Sequence, residues 1–334
     1  MYRAGVIGCG SIGIAHAEGL MGLDNAEVVA ACDVSPEVLG RFVERWPDRR
    51  IARYASHRDL LARERLDIVT VATSDHQHAD LVVDAAQAGV KGIFCEKPLA
   101  TNLADADRML EAVERCGVIL SIDHTRRWQP VWRYAREEIV GKGVLGPVQY
   151  LVGTLNGPRA MLFRNGTHLL DAICYFALGQ PRWVVAELEE GYSDYHEYRG
   201  DGGHQPATEP GAYGYIHFDN GVRAFYVGGS KRTPPAKQFL EVVGTEGRLV
   251  LGDMEHGTLY RGPQAEPIPV PQWPVQGIAA GVQELVRLLA EGGAPVSPGR
   301  AGHLALELIV GFLESSRQGH VPIPIPVPRQ GLDR

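Results

Sequence analysis

The sequence reads as an α/β protein in two parts, a doubly wound parallel sheet over residues 1–125 and an α+β domain on a mainly antiparallel sheet over residues 126–334. Three observations predict this. Strand-like and helix-like segments alternate through the first part, and a glycine-rich turn joins its first strand to its first helix. Beyond about residue 125 the rhythm changes to strand after strand with short turns. A length of 334 residues exceeds what a single hydrophobic core usually serves, so two domains fit it.

The elements follow in order. Residues 4–7 form a short apolar run that reads as a buried strand, and the helix beyond the glycine turn continues to about Met21. A second β-rich run covers residues 27–32. Ser35 and Pro36 then open a helix, Ser as N-cap and Pro at the first helical position, where a missing N–H removes no bond. Residues 66–72 make a third apolar strand, and Gly89 closes the helix after it. Residues 92–95 are a fourth strand. Asn102 caps a helix over about 103–116 that Gly117 ends, and residues 118–122 are a fifth strand.

In the second part, a helix near 130–140 leads to a strand at 148–154 and a helix at 167–178. Strands are then expected at 183–188, 213–218, 222–227, 239–243 and 248–251. Asp219-Asn220-Gly221 between two of them is a hairpin turn, because Asn and Gly tolerate the positive φ such turns need. Helices near 278–291 and 301–316 follow; the first sets Ile278, Val282, Leu285 and Leu289 on one face. Residues 321–328 alternate Pro with Val and Ile, which suits an extended tail or an edge strand. The loop over 191–211 is long, polar and glycine-rich, as functional lids and disordered segments both are.

Bulk composition excludes several classes. Hydrophobic residues at 45% and charged residues at 22% suit a globular chain with a buried core. Net charge is −7 and no stretch of Lys or Arg forms a basic stripe, so no nucleic-acid partner is expected. The five cysteines are odd in number and lack a C-x-x-C pair, which suits reduced thiols. No apolar run approaches the roughly 18 residues of a membrane span, and no export signal opens the chain. The expected setting is cytoplasmic, without membrane partners.

Gly8-Cys9-Gly10-Ser11-Ile12-Gly13 fits G-x-G-x-x-G, a weak signal alone. Here it follows a strand and opens a helix, the setting of a dinucleotide-binding Rossmann turn. Gly8 permits the tight turn, Gly10 lets a pyrophosphate approach the backbone, and Gly13 allows close packing of helix on strand. Ser11 and Ile12 begin the helix whose N-terminal amides and positive dipole end attract phosphate. Asp33 ends the second strand 20 residues after Gly13 (33 − 13), where a carboxylate bonds ribose hydroxyls and repels a 2′-phosphate. NAD is the expected cofactor and NADP the less favoured one.

Ligands of such sheets bind beyond the carboxyl ends of the strands. Three ends carry notable groups: Thr73 to His78 after the third strand, Glu96-Lys97-Pro98 after the fourth, and Asp123 to Pro130 after the fifth. His76, His78 and His124 invite a zinc reading, but no cysteine is suitably spaced and the other motifs need no metal, so none is expected.

The order G-x-G-x-x-G, T-x-x-x-x-H, E-K-P and R-R-W-x-P resembles the Gfo/Idh/MocA oxidoreductases, named for glucose–fructose oxidoreductase and inositol dehydrogenase. Gly166 to Asp171 and Ser315 to Gly319 extend the resemblance through nearly the whole chain. The resemblance implies a Rossmann domain joined to an open-faced antiparallel sheet that commonly serves oligomerisation, giving a homodimer or homotetramer. It implies hydride transfer between a nicotinamide and a secondary hydroxyl or ketone of a sugar, glycoside or cyclitol. Lys97 would bind the reacting hydroxyl and the nicotinamide ribose, and His168 would exchange the hydroxyl proton. Thr73, His78, Glu96 and Arg127 join the cofactor set; His124, Trp128, Arg164 and Asn165 join Lys97 and His168 in the substrate set. Tyr, His and Arg residues of the 191–211 loop are further candidate selectors of substrate.

Two departures qualify the resemblance. The family often carries Asp four residues before the histidine, where Arg164 stands, and Asn165 cannot relay a proton as a carboxylate would. The step T-P-N after the third strand is Thr73-Ser74-Asp75. Two other readings remain: a redox-neutral, NAD-dependent cleavage of glycosides on the same fold, and a non-catalytic NAD-binding regulator.

Overall fold

Strands β1 (Tyr2–Ile7), β2 (Ala26–Cys32), β3 (Ala52–Tyr54), β4 (Ile68–Val71), β5 (Gly92–Cys95) and β6 (Ile119–Ile122) form a parallel sheet in the order β3-β2-β1-β4-β5-β6. The computed structural model describes residues 1–334 except 159, 203, 230, 232–236, 253, 255 and 330–334. Helices α1 (Ser11–Met21), α2 (Pro36–Glu44), α3 (His57–Arg63), α4 (His78–Gln87) and α5 (Leu103–Cys116) connect the strands. Strand order reverses beside β1, so the loops after β1 and β4 diverge there and leave a crevice at the carboxyl edge.

The expected caps are present. Ser35 Oγ accepts from Val38 N at 3.3 Å and Asn102 Oδ1 accepts from Asp105 N at 2.8 Å. Gly117 ends α5 at φ 68°. Strand β3 and helix α3 were not legible, since a three-residue strand carries too little alternation.

The second sheet is preceded by α6 (Pro130–Tyr134), which continues as a π-helical stretch over Ala135–Val140. Then come β7 (Val148–Asn156), α7 (Thr167–Ala177), β8 (Pro181–Leu188), β9 (Ala212–Phe218), β10 (Arg223–Gly228), β11 (Lys237–Gly244), β12 (Arg248–Gly252), β13 (His256–Arg261) and β14 (Gln264–Pro267). Helices α8 (Gly277–Glu291) and α9 (Gly299–Arg317) precede the short β15 (Ile323–Pro324). The nine strands run β14-β13-β12-β11-β7-β10-β9-β8-β15, antiparallel except for β7 beside β10. Gly221 sits at φ 83° in the expected hairpin, and β15 pairs with β8 as the expected edge segment. Strand β14, with every residue exposed, lacks the apolar alternation that would announce it.

One face of this sheet is covered. Phe312 of α9 packs so closely that a Cβ on Gly214 of β9 would lie 2.2 Å from its ring. The other face presents aligned rows: Trp183, His217, Arg223 and Tyr150 across four strands, with Tyr215 beside Phe225 in the next row. Tyr150, Tyr213 and Phe225 on it are 38%, 48% and 40% exposed. This is the open face that the fold class calls for.

The compact units differ from a single cut near residue 125. Residues 274–303 group with 1–128, and 129–273 group with 304 onward; the last five residues of the expected second domain lie outside the described residues. The reason lies in α8, whose Val282, Leu285 and Val286 are buried in the core of the parallel-sheet unit with Phe94 and Trp128. Among the described residues no helix is long and apolar enough to cross a membrane.

Candidate active site

The glycine turn has the shape a dinucleotide requires. Gly8 sits at φ 90°, and a Cβ there would meet the Ala72 carbonyl oxygen at 2.3 Å. A Cβ on Gly13 would lie 1.9 Å from the Gly8 carbonyl oxygen, so α1 can pack this closely only without a side chain. Gly10 meets nothing within 4 Å: the space beside it is open. It also offers no side chain to cap α1, which leaves the first amides of Ser11 and Ile12 for another acceptor. The Thr73 hydroxyl is buried without a hydrogen-bond partner, and its backbone nitrogen adjoins Gly8. An open cradle, uncapped amides and an orphaned hydroxyl fit a bound dinucleotide.

Asp33 organises this turn as well as facing it. Its Oδ2 accepts from Cys9 N and its Oδ1 from Ser35 N, each at 2.8 Å, and each oxygen keeps a further lone pair. Burial, with Asp33 beside them, pushes the Cys9 thiol up to about 12 and the Cys32 thiol up to about 11, so neither is a nucleophile at neutral pH.

At the ends of β5 and β6, six ionisable groups are buried in one unit: His16, Glu96, Lys97, Asp123, His124 and Arg127. The Lys97–Pro98 peptide is cis. His78 joins two of the loops, its Nδ1 2.8 Å from Pro98 O and its Nε2 3.3 Å from Thr73 O. With both ring nitrogens turned to carbonyls, it serves by holding the loops around Lys97. His16 Nε2 lies 3.5 Å from Glu96 Oε1, and Thr125 Oγ1 donates to Asp123 Oδ1 at 2.8 Å. Arg127 Nη1 donates to Val296 O at 2.6 Å, which ties the 125–128 turn to the segment before α9.

Two of the expected substrate residues, Trp128 and His124, are buried. Trp128 is 2% exposed, packs 5.7 Å from the Phe94 ring and donates its indole N–H to Glu284 Oε2 at 3.2 Å. It is core, because α8 closes over it. His124 is 1% exposed.

In the second unit, a π-helical turn over Leu162–Gly166 runs directly into α7. Arg164, Asn165 and His168 are partly exposed while Thr167 is buried, and a spacing of four sets Arg164 and His168 on one side. The turn is fixed from elsewhere in the chain. Glu209, fully buried, accepts at Oε2 from Phe163 N at 2.8 Å and from Arg164 N at 3.0 Å. The Tyr226 hydroxyl, buried and raised well above its usual range by burial and then by Glu209, abuts Gly166, where a Cβ would lie 2.5 Å from it. Phe163 stacks edge-on with Tyr198 of the 191–211 loop at 5.0 Å. That loop is tied together internally, with Tyr192 OH donating to Ala207 O at 2.8 Å and Asp201 Oδ1 accepting from His204 N at 3.0 Å; its Gly203 lies outside the described residues.

The structure thus gathers Gly8, Gly10, Ser11, Ile12, Gly13, Asp33 and Thr73 around one turn, and His78, Glu96, Lys97 and Arg127 around the neighbouring strand ends. Arg164, Asn165 and His168 share a turn of the other unit. Sequence reasoning missed His16, Glu209 and Tyr226, and named Asp123 only as part of its strand end. Asp123 carried a signal, a charged residue at a strand's carboxyl end; Glu209 and Tyr226 carried none, because their role is set by long-range contacts.

Residues 2–124 match the family model described as oxidoreductase family, NAD-binding Rossmann fold, and residues 154–325 match its C-terminal alpha/beta domain. The chain is 31% identical to the D-apiose dehydrogenase of Paraburkholderia graminis, over 95% of this chain and 88% of that protein. It is also 31% identical to the myo-inositol 2-dehydrogenase of Thermotoga maritima, over 77% of each. The solved aldose-aldose oxidoreductase of Caulobacter crescentus, complexed with glycerol, superposes with a TM-score of 0.81 at 20% identity, covering 97% of this chain and 99% of that one, a likeness of fold. With its cradle for a dinucleotide and both halves matched, this chain belongs to the Gfo/Idh/MocA oxidoreductase family.

Proposed function

We propose that this oxidoreductase transfers a hydride between NAD and a secondary hydroxyl or ketone of a sugar, glycoside or cyclitol. The observation that carries the reading is the presence of Lys97 in a buried strand-end cluster beside the dinucleotide cradle, together with His168 partly exposed at the start of α7. The names of the relatives from Paraburkholderia graminis and Thermotoga maritima favour the same substrate class.

The bound nicotinamide supplies the two-electron acceptor for hydride from the carbinol carbon. Lys97 holds the hydroxyl oxygen and offsets negative charge as it develops there. His168 accepts the hydroxyl proton at a ring nitrogen, a task suited to a group that titrates near neutral pH. Arg164 and Asn165, on the same turn, face the substrate and select its substituents. Ser11, Ile12, Thr73 and Asp33 hold the dinucleotide. Asp33, a carboxylate at the end of β2, favours NAD over NADP by repulsion of a 2′-phosphate. The protein works in the cytoplasm as a homodimer or homotetramer joined through the aromatic face of the second sheet.

The test is NADH formation, followed by its near-ultraviolet absorbance, across a panel of sugars, glycosides and inositols, with Lys97→Ala and His168→Ala beside the wild type. Turnover of one class, lowered by roughly a hundredfold or more in both variants, is expected. Release of an aglycone without NADH would replace this reading with redox-neutral glycoside cleavage.

A further inference from the structure

The helix that carries His168 begins without a cap of its own. Met161 stands at the N-cap position and its side chain caps nothing, yet the first three amides of the 162–166 turn all find acceptors. We propose that Glu209 is a positioning residue for His168: from the end of the 191–211 loop it caps this helix start, so that seating the loop and placing the histidine are one event. The inference rests on the reading of His168 as the residue that exchanges the hydroxyl proton.

All three acceptors come from two consecutive residues. Leu162 N donates to Pro210 O at 2.9 Å, and Phe163 N and Arg164 N share Glu209 Oε2 at 2.8 and 3.0 Å. From Asn165 on, the turn supplies its own acceptor: Asn165 N and Gly166 N both donate to Met161 O, at 3.0 and 2.8 Å. The Gly166 bond spans five residues, the π-type geometry that is rare and concentrated at functional sites. One carboxyl oxygen has two lone pairs, enough for both amides, and it stands where a helix start favours negative charge. Glu209 and Phe163 are both buried, so loss of this acceptor would leave the Phe163 amide dry and unpaired.

Glu209 is itself held by the loop it closes. The Lys231 ammonium donates to the Glu209 carbonyl oxygen and to Tyr192 OH at 3.2 Å, and pairs with Glu189 Oε2 at 2.9 Å. Glu189 Oε2 also accepts from Gly211 N at 3.0 Å, so residues from both ends of the loop meet at one lysine. From within the loop, Tyr198 sets its ring 5.0 Å from that of Phe163 in the turn. Tyr226 closes the other side, its hydroxyl against Gly166, where a Cβ would lie 2.5 Å away. A local cap residue in place of Met161 would stabilise the helix without any help from the loop. With Met161 there, the helix start depends on where residues 209–210 sit. Arg164, Asn165 and His168 follow within two turns, so their placement depends on it too.

The test compares wild type with Glu209→Ala, Glu209→Gln and Lys231→Met, with His168→Ala as reference. Hydrogen exchange of the free protein, read on the peptide over 161–168, is expected to be faster in Glu209→Ala and Lys231→Met. It should stay near wild type in Glu209→Gln, whose amide oxygen can accept both bonds. Turnover is followed on whichever sugar or cyclitol of the panel gives most NADH. In Glu209→Ala, kcat is expected to fall roughly tenfold or more with NAD affinity unchanged, and in Glu209→Gln to recover most of that loss. The pH profile is the readout that a merely structural role would not move. Wild-type kcat levels off once the histidine is neutral, whereas Glu209→Ala, like His168→Ala, should keep rising with hydroxide. Lys231→Met leaves the carboxyl in place and should shift the same way; it carries the test if Glu209→Ala does not fold. Wild-type turnover in Glu209→Ala, a profile lowered without change of shape, or a loss in Glu209→Gln as deep as in Glu209→Ala would overturn the proposal. If His168→Ala keeps its turnover, the reading of His168 fails whatever the exchange shows. If His168→Ala is inactive and Glu209→Ala is unimpaired, the positioning role of Glu209 alone fails.

Discussion

Gly10 and Gly13 lie three residues apart in one turn, yet different physics requires each. At Gly13 a methyl group would enter the Gly8 carbonyl at 1.9 Å, so the folded state itself needs its absence. At Gly10 the space is open, so the need belongs to the ligand. Two variants separate the effects. Gly13→Ala should lower stability by about 1–3 kcal/mol, seen as a drop in Tm, and weaken NAD binding with it. Gly10→Ala should leave the Tm of the free protein nearly unchanged and still weaken NAD binding by roughly tenfold or more, measured by calorimetric titration. A large loss of Tm in Gly10→Ala would show that the turn is packed and not a cradle. The same scale separates legible from illegible site residues. The glycines and Asp33 announce themselves by spacing and Lys97 and His168 through the family resemblance, whereas the surroundings of Trp128 are visible only once α8 packs over it.

The elements of the parallel sheet are held at their amino ends by Asp67, which precedes β4. Its Oδ2 accepts from Arg3 N of β1 at 2.9 Å, and Lys91, before β5, reaches its Oδ1 at 2.8 Å. Burial opposes the charged form, but these partners outweigh it and hold the carboxyl below the usual range. A group whose pKa is depressed by folding contributes stability above its unfolded value, and that contribution is lost as pH falls through the folded one. Asp67→Asn should therefore cost about 1–2 kcal/mol at neutral pH, and the gap to wild type should close as pH drops below about 4. Urea unfolding at several pH values reads this directly; a gap that persists at low pH would mean that the charge contributes nothing. Elsewhere, strands with alternation and helices with caps were legible, while β3 and β14 were too short or too polar to stand out.

For the whole molecule, the exposed face of the nine-stranded sheet sets the clearest expectation. Tyr150, Tyr213 and Phe225 are each more than a third exposed on aligned neighbouring strands, and Trp183 stacks on His217 at 5.2 Å beside them. Contiguous apolar surface of this kind marks an interface on a globular protein. Sedimentation should show a dimer or tetramer, and Phe225→Glu should shift it toward monomer by burying a charge in the contact. A wild type that sediments as a clean monomer would remove the assembly from the proposed function.

By itself the sequence determined the two sheet types and the dinucleotide turn, because periodicity, caps and glycine spacing act over a few neighbouring residues, while the residues expected to carry proton and charge followed from the family resemblance. Only the tertiary structure decided that residues 274–303 complete the parallel-sheet unit, that Glu209 holds the turn before His168, and that His16, Glu96 and Asp123 come together in one buried cluster. Each of these joins segments far apart in the chain, or side chains on separate strands. Such contacts arise from burial and hydrogen-bond satisfaction in the folded state and leave no periodic mark on the sequence.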